Sequence, residues 1–115
     1  MKLKNIKNLI EKNIIAFATS DKDIPNVIPV ACCKVIENKI LITDNFMRTT
    51  SKNLIKNKNV CLAVWNKNKG YKLIGKANYF NSGKWKKFVG NMKENKGLPA
   101  KGAILIGIRK IIKLC

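Results

Sequence analysis

Residues Lys39–Trp65 read KILITDNFMRTTSKNLIKNKNVCLAVW, and this segment decides the fold. Ile40–Ile42 is an apolar run with high strand preference, and Val60–Trp65 is a second run of the same kind. The residues between them are polar except where Leu54 and Ile55 give a helical pattern its apolar side. The segment therefore predicts a strand, a short polar loop, a short helix and another strand.

The loop and the first turn of this helix suit a phosphate. They carry three hydroxyls and two cations: Arg48, Thr49, Thr50, Ser51 and Lys52. Any of the three hydroxyl residues can cap the helix, which we predict over Thr49–Lys58. A helix start also offers free backbone N–H groups to an anion. The same residues would equally serve a capped helix with solvated cations and no ligand, so the segment alone leaves both interpretations open.

Hairpins dominate the rest of the chain. Further strands are predicted over Ile14–Ser20, Asn26–Glu37, Tyr71–Phe80 and Lys101–Leu114, with Gly75 marking a bulge. Amphipathic helices are predicted over Leu3–Asn13 and Lys84–Lys96, the second with Ser82 as its cap. The count of six strands and three helices predicts a single mainly β domain over residues 1–115, an antiparallel barrel with flanking helices.

The charge of the chain is strongly positive, at +18 with 24 Lys and Arg against 6 Asp and Glu. Only Arg48 and Arg109 are arginines, which leaves 22 lysines spread along the chain together with Asn and Ile. This distribution indicates a compositional bias, and no Cys/His finger or aromatic RNA-binding motif is present, so nucleic acid is the less favoured partner. No apolar run approaches the ~20 residues of a membrane span, and the N-terminus lacks a signal-peptide core. We therefore expect a cytoplasmic protein with no membrane partner.

Catalysis by the side chains themselves is poorly supported. The chain has no His, and its acidic residues form no close pair in the sequence. Its cysteines are Cys32, Cys33, Cys61 and Cys115. They make no C-x-x-C pair, so no metal site is expected, and we interpret them as buried small hydrophobes in a reducing compartment.

Two segments resemble the FMN-binding split-barrel family, which includes pyridoxamine phosphate oxidase. Thr50-Ser51-Lys52-Asn53-Leu54, followed by Asn57-Lys58-Asn59-Val60, is similar to the family's phosphate-gripping segment. Thr50 and Thr49 stand where that pattern often has basic residues, although Arg48 and Lys52 flank them. ATSDKDIPNVIPV, residues 18–30, resembles the family's opening hairpin.

The resemblance implies a six-stranded split barrel that binds FMN and acts as an oxidoreductase or electron carrier. The implied cofactor-binding residues are Pro29, Val30, Ala31, Cys32, Thr43, Asp44, Arg48, Thr49, Thr50, Ser51, Lys52 and Asn53. The first four would border the flavin ring, and the phosphate would be bound by Arg48, Thr49, Thr50 and Lys52, while the catalytic residues and the substrate stay unassigned. The alternative is a non-enzymatic basic module for nucleic acid or a phosphorylated metabolite.

The resemblance also implies a homodimer with the flavin at the subunit interface. The sequence supports a dimer independently, because a domain of 115 residues buries a limited fraction of its surface alone. In addition, the apolar second strand and the run AILIGI, residues 103–108, need cover on both faces.

Overall fold

The computed structural model describes all residues from 1 to 115, and its main element is one antiparallel sheet. The strands are β1 (Ile15–Asp21), β2 (Ile24–Val30), β3 (Cys33–Ile36), β4 (Lys39–Asp44), β5 (Asn59–Asn66), β6 (Lys69–Phe80) and β7 (Gly102–Lys113). The helices are α1 (Lys7–Glu11), α2 (Thr49–Lys56) and α3 (Gly83–Gly90), with 3-10 turns at Leu3–Ile6 and Lys93–Asn95. None of these helices is long and apolar enough to cross a bilayer.

The strand order β2-β1-β5-β6-β7-β4-β3 makes this sheet a split barrel. Its two edge strands, β2 and β3, follow one another in the chain and are joined by Ala31 and Cys32 alone. The edges of the sheet must therefore lie close together, although no ladder joins them. The fold class predicted from the sequence is confirmed.

The predicted number of strands is wrong, because Asn26–Glu37 forms two strands. Val30 pairs with Ile15 of β1, whereas Cys33 pairs with Ile42 of β4. The chain thus leaves one edge of the curled sheet and joins the other within three residues. No single straight strand can belong to both ladders, and the alternation of apolar residues gives no sign of this transfer.

The last strand is covered on both faces within one chain. Ile104, Ile106 and Ile108 are buried in the barrel core. Ala103 and Leu105 belong to a smaller cluster with Val89 of α3. The expectation that this strand needs a second subunit to cover it is therefore wrong.

The predicted helices exist, but their ends differ. The N-terminal helix begins as a 3-10 turn, and Asn13 donates its amide to the carbonyl of Leu9 (2.9 Å) just after the end of α1. Lys84–Lys96 is not one helix, since α3 ends at Gly90 and a separate turn follows. Gly is a poor helix former, which accounts for this end. Ser82 makes no side-chain cap bond.

Gly75 marks a bulge, as predicted from the sequence. The register between β6 and β7 shifts between Ile74 and Gly75. A Cβ atom at position 75 would collide with the backbone carbonyl of Gly107, so the two strands approach each other more closely than any side chain would permit.

Candidate functional site

A cleft of about 640 Å³ opens beside the split between β2 and β3, and we call it the split cleft. Its walls come from the β2–β3 link, the loop after β4, the start of α2 and the segment after α3. The lining residues are Asn26, Ile28, Pro29, Val30, Ala31, Cys32, Thr43, Asn45, Phe46, Met47, Arg48, Thr49, Thr50, Glu94, Asn95 and Leu98. The two segments in which the sequence resembles the flavin-binding family thus meet in one cavity.

Most of the residues expected at the site line this cleft. They are Pro29, Val30, Ala31, Cys32, Thr43, Arg48, Thr49 and Thr50. The other expected residues, Asp44, Ser51, Lys52 and Asn53, do not line it. Lys52 is exposed on α2, and Ser51 donates its hydroxyl to the carbonyl of Arg48 (2.9 Å).

Asp44 lies beneath the loop that forms one wall of the split cleft. Its carboxylate is fully buried and accepts the hydroxyl of Tyr79 (2.5 Å) and the backbone N–H of Met47 (2.8 Å). Burial, together with the bond to this carboxylate, raises the pKa of Tyr79, so that the hydroxyl stays protonated and donates. Asp44 therefore fixes the course of the loop, and through it the position of Arg48.

Lys101 closes the same loop from the other side. Its ammonium donates to the carbonyl of Met47 (2.9 Å) and lies 3.9 Å from a carboxylate oxygen of Asp44. Its backbone N–H donates to the carbonyl of Asp44 (2.8 Å). Both ends of the turn after β4 are thereby tied to the start of β7.

A buried polar network ties α2 to the first hairpin. Asn26 donates to the hydroxyls of Thr50 (2.9 Å) and Thr19 (3.1 Å), and Asn53 donates to Thr19 as well (3.1 Å). Thr19, Thr50 and Asn53 are all buried. The expected roles of Thr50 and Asn53 thus have a structural component, since both residues hold α2 against β1 and β2.

The start of α2 is uncapped and faces the split cleft. Its N-cap residue is Arg48, and no side chain makes a cap hydrogen bond there, so the prediction of a Thr or Ser cap is wrong. The first N–H groups of a helix have no partner within the helix, and here no side chain replaces one. An anion could be bound here by three kinds of group: these backbone N–H donors, the exposed Arg48 and the exposed Thr49.

Another wall of the cleft, the segment after α3, is built around Asn95. This buried amide donates to the hydroxyl of Thr43 (3.1 Å) and to the carbonyl of Val89 (2.7 Å), and it accepts from Asn45 (3.1 Å). The neighbouring Glu94 lines the cleft with its side chain exposed. No pattern in the sequence connects positions 94 and 95 to the site, because they reach it only through the packing of α3 on β7.

The remaining lining residues that sequence analysis missed are mainly apolar. Phe46 is 70% exposed, and Met47 and Leu98 also line the cleft. A large apolar residue in a short polar loop is a signal that could have drawn attention to Phe46.

The cysteines differ more in exposure than the sequence suggested. Cys33 is buried, which raises its pKa to about 12, but Cys115 is exposed, so the expectation of four buried cysteines is wrong. Cys32 is half-buried in the split cleft, and burial raises its pKa despite a hydrogen bond with Thr43. The thiol of Cys32 therefore stays protonated at neutral pH and is a poor nucleophile.

Comparisons with known proteins agree with this fold. HupZ of Group A Streptococcus superposes with a TM-score of 0.86 at 22% identity, over 99% of this chain and 94% of HupZ. An FMN-binding protein from Syntrophomonas wolfei superposes with a TM-score of 0.80 at 19% identity, over 98% of this chain and 86% of that one. At these identities, the likeness shows the fold alone.

The sequence comparisons identify a relative and a family. The uncharacterized protein MJ0282 of Methanocaldococcus jannaschii is 35% identical over 112 residues, which cover 91% of this chain and 75% of that protein. The family model described as pyridoxamine 5'-phosphate oxidase matches residues 3–115. The chain therefore belongs to the pyridoxamine 5'-phosphate oxidase family.

Proposed function

We propose that this protein binds FMN in the split cleft and acts as an oxidoreductase or electron carrier. One observation carries the proposal: a single cavity joins the β2–β3 link to the uncapped start of α2. The β2–β3 link offers backbone groups that belong to neither ladder. The start of α2 offers hydrogen-bond donors for an anion. A flavin mononucleotide can use both, because its ring carries polar atoms that bond to backbone groups and its other end is a phosphate.

The phosphate would lie at the start of α2. Arg48 lines the split cleft and can offer two parallel N–H donors to phosphate oxygens. The backbone N–H groups of the first helical turn and the hydroxyl of Thr49 complete the set. Lys52, which the sequence also suggested, does not line the cleft and would contribute only long-range attraction.

The flavin ring would lie along the β2–β3 link. Ala31 and Cys32 belong to no strand, so their backbone groups are outside the ladders and free to bond polar atoms of a ring. Ile28, Phe46 and Leu98 add apolar side chains to the lining of the same cleft. Such a combination of apolar lining and a few convergent polar groups is typical of cofactor sites.

The chemistry would come from the flavin, which accepts a hydride or electrons when bound. The titratable side chains lining the split cleft are Cys32, Arg48 and Glu94. The raised pKa of Cys32 keeps its thiol protonated, and the guanidinium of Arg48 offers donors only. The protein's part is therefore to bind and orient the cofactor, and Glu94 is the group positioned to meet a substrate.

A second copy of the chain would complete the cleft. Ile24 and Val27 of the edge strand β2 are 71% and 64% exposed, and Phe46 is exposed at the cleft itself. Apolar side chains at an unpaired sheet edge favour association with another surface. We infer a two-fold dimer in which β2 lies at the interface. We also infer a cytoplasmic location, because the four free cysteines stay reduced in that compartment.

Absorbance spectroscopy tests the cofactor directly. Protein reconstituted with FMN and passed through a desalting column should keep flavin absorbance at one FMN per chain. Loss of all flavin on the column, together with unchanged FMN fluorescence during titration, would contradict the proposal.

Light scattering at micromolar concentration should give twice the chain mass of 13.0 kDa, and Val27→Lys should lower that mass and weaken FMN binding together.

A further inference from the structure

A second cleft, of about 750 Å³, lies between the N-terminal turns and the β5–β6 hairpin. Its basic side chains are Lys4, Lys7, Lys12, Lys67 and Lys69, and we call it the lysine cleft. It shares no lining residue with the split cleft. Whatever it binds is therefore independent of the flavin proposal.

The charge in the lysine cleft is not neutralised. None of its lining residues is acidic. Lys7 has a carboxylate within 4.0 Å, that of Glu11 at 3.0 Å, and the other four lysines have none. The sequence suggested lysines spread by compositional bias, but the fold brings five of them around one concave surface.

Amides accompany the lysines. Asn5, Asn8, Asn66 and Asn68 line the cleft, and their side chains make no hydrogen bond within the chain. A free amide both donates and accepts, which matches the edges of unpaired bases as well as phosphate oxygens.

One aromatic ring completes the surface. Tyr71 lines the lysine cleft, is half-buried and packs against the barrel core. A ring fixed in this way can stack on a base, and base–aromatic stacking tolerates any sequence. Cations for the backbone, an aromatic ring and free amides together are the features of single-strand binding surfaces.

We propose that the lysine cleft binds single-stranded nucleic acid. A duplex hides its base faces and would leave the ring and most amides unused. A membrane surface is flat and favours exposed apolar side chains beside the cations, whereas here the apolar lining residues, Ile6, Leu9 and Tyr71, are buried or half-buried.

Fluorescence anisotropy with a labelled single strand of ten nucleotides tests the proposal. The cleft variant carries Lys4→Gln, Lys12→Gln, Lys67→Gln and Lys69→Gln. The control variant carries Lys76→Gln, Lys87→Gln, Lys96→Gln and Lys110→Gln, four exposed lysines outside the lysine cleft. Each variant loses four charges from +18 and so carries +14, and circular dichroism checks that each is folded.

We expect the cleft variant to bind at least about tenfold more weakly than the control variant. The slope of log affinity against log salt concentration should also be smaller by about 3, because each of the four lost lysines removes a phosphate contact worth roughly 0.7 in that slope. Equal losses in the two variants would show that binding follows net charge alone and would overturn the proposal. Absence of binding by the unmodified protein at low salt would also overturn it.

Two further measurements separate a single strand from other polyanions. Tyr71→Leu keeps the apolar packing but loses the stacking face, and it should weaken single-strand binding about fivefold or more, while Tyr71→Phe should not. An equal or higher affinity for the matched duplex, or for vesicles of anionic lipid, would overturn the proposal in favour of that class of partner. FMN titrations of all these variants should match the unmodified protein, which keeps this test apart from that of the split cleft.

Discussion

The split cleft and the lysine cleft are built in opposite ways. Behind the first lie buried polar groups, Asp44, Thr50, Asn53 and Asn95, each hydrogen-bonded to another element. The second is formed by exposed lysines and amides on surface turns. Shape and donor geometry are thus fixed in the split cleft, whereas charge accumulates in the lysine cleft. Substitutions in the first should change stability and cofactor binding together, and substitutions in the second should change binding of polyanions alone.

The largest effect on stability is expected from Asp44→Ala. The change removes the acceptor for both Tyr79 and the Met47 N–H, and hydrogen bonds to a buried charge are worth about 1.5–3 kcal/mol each. Because such losses are not additive, we expect the free energy of unfolding to fall by about 3 kcal/mol, as measured by urea denaturation.

The matched control is Asp23→Ala, which removes the same charge from an exposed hairpin residue without side-chain hydrogen bonds. It should change stability by less than about 0.5 kcal/mol. If both variants unfold at the same urea concentration, Asp44 does not organise the loop as described.

Thr50→Val and Thr49→Val form a pair that separates structure from binding. Thr50 is buried and accepts from Asn26, so its valine variant should lose about 1–2 kcal/mol of stability. Thr49 is exposed and makes no side-chain hydrogen bond, so its valine variant should keep full stability but bind FMN more weakly. Urea denaturation measures the stability and FMN titration the binding. A loss of stability in Thr49→Val, with unchanged stability and weaker FMN binding in Thr50→Val, would contradict these two roles.

A smaller, pH-dependent effect is expected at Glu11, which holds α1, one wall of the lysine cleft, against β3. Burial alone would raise the pKa of Glu11, but the N–H of Val35 (2.8 Å) and Lys7 outweigh it and lower the pKa. A lowered folded-state pKa gives stability that is present above the unfolded value, about 4.3, and is lost as the pH falls through the folded value. Glu11→Gln should therefore lose about 0.5–1 kcal/mol at pH 7 and less at pH 3.

Glu37→Gln is the control, because it makes the same change on an exposed turn next to β3. Its stability should follow that of the unmodified protein at both pH values. A difference for Glu11→Gln that persists undiminished at pH 3 would show that lost packing, and not the carboxylate charge, is responsible.

The smallest effect is expected from Lys67→Ala on FMN binding. Lys67 lies in the lysine cleft and shares no surface with the split cleft, so only weak long-range attraction is lost. FMN affinity should change by less than about twofold. A larger loss would show that the two clefts are not independent sites.

The features that were predictable from the sequence are local ones. Apolar runs and turn residues placed the strands from Ile15 to Phe80, and Gly75 marked its bulge, because hydrophobic period and turn chemistry act over a few residues. The transfer between sheet edges at Ala31 and Cys32 was not predictable, since the residues on either side continue the same apolar alternation.

The candidate site was only partly predictable for the same reason. Arg48 and Thr49 were found because a helix start has a local signature. Asn95 and Glu94 join the split cleft from more than forty residues away in the chain, and only tertiary packing brings them there. Likewise, the lysine cleft arises from two lysine-containing segments that look ordinary separately.

The central claim is that the start of α2 holds the phosphate of FMN, and a titration of three proteins tests it most directly. Arg48→Ala and Lys52→Ala each remove one exposed cation, but only Arg48 lines the split cleft. Quenching of FMN fluorescence should show a Kd at least about tenfold weaker for Arg48→Ala, the loss of a charge-assisted bond worth about 1.5–3 kcal/mol. Lys52→Ala should stay within about twofold of the unmodified protein. Equal Kd values for Arg48→Ala and the unmodified protein would contradict the claim.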